Sequence, residues 1–194
     1  MTLPELVKRG DLEIGRFEVT RAQYADYDKK YRILPSTDNY PANGITLDQA
    51  KAYVAWLSKL TGQSWRIPEE KEVASLYEKR DGENTLDYWA GYAMNPDDTA
   101  KLSKKIAELP GNAPLLKAAG SFTGQGKEDQ ELIFDLGGNV AEWVLTRDGK
   151  GKVIGGSADC PADPKSNCTP APEYVGFRAV RGAAKPAPAA SSTP

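Results

Sequence analysis

The chain has 194 residues, of which 25 are basic and 27 acidic, for a formal net charge of -2, with 40% hydrophobic and 27% charged residues. That is enough apolar material for one packed domain with tails, and the balanced charge offers no electrostatic footprint for nucleic acid or an anionic membrane surface. Histidine is absent, which removes Ser-His-Asp chemistry and most zinc and iron sites and leaves carboxylates, Lys, Tyr and the cysteines to carry any reaction.

No apolar run of about 18 residues occurs, so direct membrane insertion by a helix is not expected. The first ten residues, Met1 to Gly10, are too polar for a signal peptide. The expectation is a cytoplasmic protein or a piece of a longer chain. Leu12 to Val19 alternates as a short strand. Thr20 is placed to cap a helix over Arg21 to Tyr31, with Tyr24, Tyr27 and Tyr31 on one apolar stripe. Pro35, Asp38, Asn39, Pro41, Asn43 and Gly44 mark a loop.

Thr46 begins a stronger helix, with Gln49 in capping-box position. Ala50, Tyr53, Val54, Leu57 and Leu60 recur at helical spacing as its buried face, and Gly62 ends it. Trp65-Arg66-Ile67 reads as a short extended segment stopped by Pro68. A third helix follows over Glu69 to Lys79, with Val73, Leu76 and Tyr77 inward.

Residues 81 to 130 are poorly patterned. Tyr88, Trp89 and Tyr92 lie in an aromatic run that reads as a short strand or a pocket wall, and Lys101 to Leu109 as a short helix. Long irregular connections are often functional; the alternative is chain that wraps the core.

The segment Asp135 to Trp143 joins an apolar run to two glycines, an Asn and a Glu-Trp pair. Paired glycines favour a tight turn with positive φ. Asp135, Asn139 and Glu142, with carbonyls such as those of Gly138 and Val140, gather oxygens that suit calcium. An Asx-type turn between two strands explains the same residues without a metal. Lys152 to Ser157 then reads as a strand entering a glycine turn, Cys160 and Cys168 flank a Pro-rich loop, and Tyr174 to Arg181 reads as the last strand. Residues 183–194 are Ala, Pro, Ser, Thr and one Lys, the composition of a disordered tail.

Taken in order, several motifs resemble the formylglycine-generating enzyme family, also called the sulfatase-modifying factor domain. They are Phe17-Glu18-Val19-Thr20 with Gln23-Tyr24, Tyr40-Pro41, Asp48 to Trp56 and Trp65 to Glu70. Leu136 to Trp143, Val153 to Ser157 and Gly176-Phe177-Arg178 complete the set. The resemblance spans about residues 12 to 182. It implies an α+β, C-type-lectin-like fold with two or three helices, short antiparallel strands and much irregular chain. Residues 1–11 are then an N-terminal extension, with the family's N-terminal hairpin absent or trimmed. Family enzymes bind calcium at the glycine turn, which transfers to Asp135, Gly138, Val140 and Glu142.

The enzymes bind copper(I) through two cysteines after a Gly-Gly-Ser turn, to activate oxygen and convert a substrate cysteine to formylglycine. By resemblance that assigns Cys160 and Cys168 as catalytic, with Ser157 beside them. This chain departs from the pattern in its Pro-rich loop, the late second cysteine, the missing basic stretch before Gly176, and Ala141 where a Trp is expected. A local disulfide between Cys160 and Cys168 is the alternative. Closing a loop of about nine residues stabilises by roughly 2.5 kcal/mol and favours a periplasmic or extracytoplasmic setting. Unpaired structural thiols are a third reading.

Two functions follow. One is a non-catalytic binding or sensor module within a larger bacterial protein, holding a protein or peptide ligand or another domain of its parent chain. Tyr88, Trp89 and Tyr92 are its candidate contacts, although any one such aromatic is more often buried. The other is the copper oxidase.

Overall fold

A computed structural model describes residues 1–78, 84–162 and 167–182. The chain opens with a hairpin, Leu6–Arg9 (β1) against Leu12–Gly15 (β2), turned at Gly10 with φ 61°. This departs from one expectation. Residues 1–11 do not stand apart as an extension: Val7 and Ile14 face each other in register and both are buried.

Thr20 caps a short helix, Arg21–Tyr27 (α1), in a full capping box with Gln23. The helix stops before Tyr31, yet the Tyr31 ring still packs on Tyr24 and its hydroxyl reaches the Asn43 backbone. Leu47–Thr61 (α2) has the expected caps, a Thr46–Gln49 box at one end and left-handed Gly62 at the other. Ala50, Tyr53, Val54 and Leu57 are its buried face. Leu60, expected to join them, is 48% exposed, because the helix ends one residue later and the core has turned away to Trp65.

Trp65–Arg66 (β3) leads to Glu70–Tyr77 (α3), where Glu72 closes a capping box on Glu69 and grips Arg66 with both carboxylate oxygens at 2.7 and 2.8 Å. Lys79, the expected last residue of this helix, lies outside the described residues.

Two further helices occupy the unpatterned stretch. Leu86–Ala90 (α4) is capped by Thr85 and ended by left-handed Gly91. Tyr88 and Trp89 are therefore helical rather than in a strand. Pro96–Ala107 (α5) starts at an Asn95 cap with Pro at its first position. Its polar surface is consistent with its having no buried residue.

Ala141–Leu145 (β4) pairs antiparallel with Gly151–Ile154 (β5) and parallel with Val175–Gly176 (β6). Val180–Arg181 (β7) instead joins the first sheet, whose order is β1-β2-β7-β3; the second is β5-β4-β6. The expected single strand from Tyr174 to Arg181 is thus two short ones in different sheets, after a 3₁₀ turn at Pro172–Tyr174. Gly176 makes the passage feasible: a Cβ there would sit 2.5 Å from the Ala42 carbonyl oxygen.

Three buried clusters result. Tyr24, Tyr53, Trp65 and Phe177 belong to the first; Val73, Tyr77, Ile133 and Val180 to the second; Leu116, Val140, Ala158 and Tyr174 to the third. The segment from β4 to β7 touches all three. Among the described residues no helix is long and apolar enough to cross a membrane. The tail, 183–194, and residues 163–166 of the cysteine loop lie outside the described residues.

Candidate functional site

The turn before β4 takes its shape from polar residues. The positive-φ positions are Asp135 at 62° and Asn139 at 63°, while Gly137 and Gly138 are not left-handed. Asp and Asn tolerate that region better than other non-glycine residues, because their short side chains bond locally. Asn139 accepts from the Lys117 N–H at 3.0 Å and donates to the Lys117 carbonyl at 3.1 Å, so it acts as a clasp. The close approach in this region is required at Gly156, where a Cβ would lie 2.0 Å from the Gly137 carbonyl oxygen.

Glu142, on β4, points to Arg178. The guanidinium donates through Nη2 at 2.8 Å and Nε at 3.1 Å to the two carboxylate oxygens. The Tyr77 hydroxyl donates to the same group at 2.5 Å. Arg178 is fully buried and spends its remaining donors on the Gly15 and Phe134 carbonyls at 2.9 and 2.8 Å. Burial disfavours its charge, but Glu142, Tyr77 and Glu18 outweigh that and hold it protonated. Burial, then the neighbouring Glu142, pushes the Tyr77 hydroxyl well above the usual phenol range.

Glu18 and Asp135 complete this interior. Both are 1% exposed, and neither Glu18 oxygen nor Asp135 Oδ1 has a donor. Two ionised carboxylates can only accept, so their contact becomes a hydrogen bond when one holds a proton. Burial first, then the facing Asp135 charge, drives the Glu18 carboxyl well above the carboxylate range. Burial likewise raises Asp135 against the Gly120 N–H that donates to it.

These contacts bear on calcium at Asp135, Gly138, Val140 and Glu142. The orphaned, buried Asp135 Oδ1 fits a hard cation as a donor atom. Glu142 brings its charge to the same turn, already hydrogen-bonded to Arg178 and Tyr77. A cation would share that carboxylate with a guanidinium. Among the described residues no group of three or more Cys, Asp or Glu side chains gathers in metal-binding geometry.

Cys160 and Cys168 form a disulfide, with Cα atoms 5.7 Å apart. Ser157 is fully buried and exchanges backbone hydrogen bonds with Cys160 at 2.8 and 3.1 Å. Its hydroxyl donates to Asp159 at 2.6 Å. The cysteines line a cleft of about 340 Å³ with Tyr77, Val153 and Pro170. Bonded sulfur offers no thiolate to a soft ion.

Tyr88, Trp89 and Tyr92 are 55%, 45% and 56% exposed, against the expectation of burial for each. Tyr88 stacks edge-on against Trp89 and Phe122, and the Lys117 ammonium lies 4.8 Å from the Trp89 ring centre. Trp89 donates to Asn84 at 3.0 Å, and Asn84 reaches the Leu115 carbonyl and, at 3.4 Å, Asn139. These aromatics therefore connect to the Asn139 turn; they do not line the disulfide cleft.

Sequence reasoning named Arg178 only as part of a strand motif and gave Glu18, Tyr77, Asp159 and Tyr174 no role at the site. An arginine between Phe177 and Ala179 in an apolar strand was the available signal. A charge on such a strand needs a buried partner, and Glu142 beside Trp143 was the matching one.

A family model described as the sulfatase-modifying factor enzyme 1-like domain matches residues 4–183. Among solved structures, PvdO from Pseudomonas aeruginosa is 20% identical over 88% of this chain and 80% of that one, with a TM-score of 0.57. Treponema denticola variable protein 1 is 16% identical over 92% of each chain, with a TM-score of 0.48. CarF is 16% identical over 94% of this chain and 95% of that one, with a TM-score of 0.47. No functionally curated protein matches. The likeness to PvdO establishes the fold, which is α+β and C-type-lectin-like.

Proposed function

The chain belongs to the sulfatase-modifying factor family, and from that premise we propose that it is a non-catalytic binding module of a larger bacterial protein. The observation that carries this reading is the Cys160–Cys168 bond. The positions that resemble the oxidases' copper ligands close a loop instead of presenting thiolates. Ser157, beside them, is buried and engaged with Asp159. The exposed aromatics of α4 supply a contact surface for a protein or peptide, since large amphipathic rings are the usual anchors of such surfaces. The disulfide also favours an oxidising, extracytoplasmic compartment.

Calcium at the Asp135 turn belongs to the same proposal. It would neutralise buried carboxylate charge and stiffen the link between the motif and the third cluster, without taking part in a reaction. Calorimetric titration with calcium should give a saturable heat that Asp135→Ala removes; no heat from the wild-type protein sinks the calcium reading.

The main test is incubation with a sulfatase-motif peptide, copper and oxygen, followed by mass analysis. The expected result is unmodified peptide. Formylglycine produced by the wild-type protein and lost in Cys160→Ser would establish the oxidase instead.

A further inference from the structure

Behind α4 and α5 lies a cavity of about 330 Å³, lined by Leu86, Ile106, Leu109, Asp159, Glu173 and Tyr174 among others. Among the described residues no basic side chain lines it. The Tyr174 side chain is 3% exposed, and its hydroxyl, though buried, has no hydrogen-bond partner. The Leu115 N–H faces that hydroxyl without completing a bond. A buried, unpaired hydroxyl costs free energy unless something in the cavity accepts from it or donates to it.

Two acidic residues, Asp159 and Glu173, line the same cavity. Burial, then the nearby Asp159 and Glu173 charges, lift the Tyr174 phenol to about 12. Asp159 is fixed rather than free to swing. The Ser157 hydroxyl donates to one of its oxygens at 2.6 Å and the Ala171 N–H to the other at 2.7 Å. Each oxygen keeps a lone pair for a further donor. Ile106 and Ala107 bring the C-terminal end of α5 to the rim, where the helix dipole favours positive charge. Leu86, Ile106 and Leu109 form an apolar part of the wall, and Ser103 and Asn112 also line it.

We infer that this cavity is a binding site for an alkylammonium group, with Asp159, Glu173 and the Tyr174 oxygen around the cation and Leu86, Ile106 and Leu109 around its carbon stem. The size is that of a small-molecule site. An anion would meet two like charges, and a neutral apolar group would leave the buried Tyr174 hydroxyl unpaired. The group can arrive as a free amine or as a lysine side chain of a peptide. The site is separate from the α4 surface ring Trp89, which does not line the cavity.

The test is titration of the intact protein, followed by amide NMR shifts, with n-butylammonium, N-acetyl-lysine amide and n-butanol. Either ammonium compound should saturate, with shifts at Ala171 and Tyr174, and bind at least about tenfold tighter than butanol. The tighter of the two identifies the source. Asp159→Asn keeps an oxygen to accept from the Ala171 N–H, while the Ser157 hydroxyl can turn to accept from the new amide, and it should weaken binding about tenfold. Glu173→Gln, on an exposed residue, should weaken it severalfold, as should Tyr174→Phe. Trp89→Ala should leave it unchanged, so the loss of either reading is seen separately. No saturation, equal binding of butanol, or ammonium binding indifferent to both acidic substitutions overturns the assignment.

Discussion

Two aromatic groups in this molecule are built from the same residue types and serve opposite ends. Tyr24, Tyr53 and Phe177 are 1%, 1% and 0% exposed and touch ring to ring, with Tyr27 and Trp56 leaning on them. Tyr88, Trp89 and Tyr92 stand about half in solvent. The difference lies in what each helix packs against. Over its 15 residues α2 buries four positions and covers a strand segment, Phe177 and Ala179, that crosses between sheets. Over five residues α4 buries only Leu86. An aromatic run is therefore core or solvent-exposed according to what its helix packs against, and the residue types alone do not say which.

The largest expected effect breaks the buried group. Tyr53→Ala removes a ring packed against four others and should cost about 4 kcal/mol, read as a drop in the denaturant midpoint. A loss below about 1 kcal/mol would mean that α2 is not a core element. At the small end, Trp89→Ala should cost no more than about 1 kcal/mol in the same assay, because its ring is half solvated and its one side-chain bond is to Asn84. Similar losses from the two substitutions would erase the contrast.

Between these lies a pH effect on the interior beside the first group. The folded protein holds the Glu18 carboxyl well above its ordinary value of 4.5, mainly by burial. A raised carboxyl binds more protons folded than unfolded. Its stabilising protonation is thus fully present below about pH 4.5 and is lost as pH rises through the folded value. Asp135 acts in the same direction, while Arg178 opposes both and Glu142 and Tyr77 complete the surroundings. Glu18→Gln should flatten the decline of stability with rising pH and gain about 1 kcal/mol at pH 8, measured by urea denaturation across pH. An unchanged slope would place the proton elsewhere.

Much of the fold was legible where local chemistry acts alone. The Thr20–Gln23 and Thr46–Gln49 boxes and the Gly62 stop are written within a few residues each. The hairpin was not, since Leu6 to Arg9 is a plausible strand only once Leu12 to Gly15 lies beside it. Neither was the split of the last strand, which depends on Ala42 approaching Gly176 from over a hundred residues away. At the site, the motif turn was found but its mechanics were not: Asp135 and Asn139, not the glycines, take the left-handed backbone. Arg178 was read as a motif letter because its partners, Gly15, Phe134 and Glu142, are scattered along the chain.

The contact at Gly156 has a mechanical corollary. Its α-carbon rests against the Gly137 carbonyl with no room for a methyl group, so the stretch that leads to the disulfide and the stretch that leads to Glu142 are seated on one another like two halves of a latch. A displacement of Gly156 toward the motif turn would press directly on the Gly137 carbonyl, two residues before Asn139.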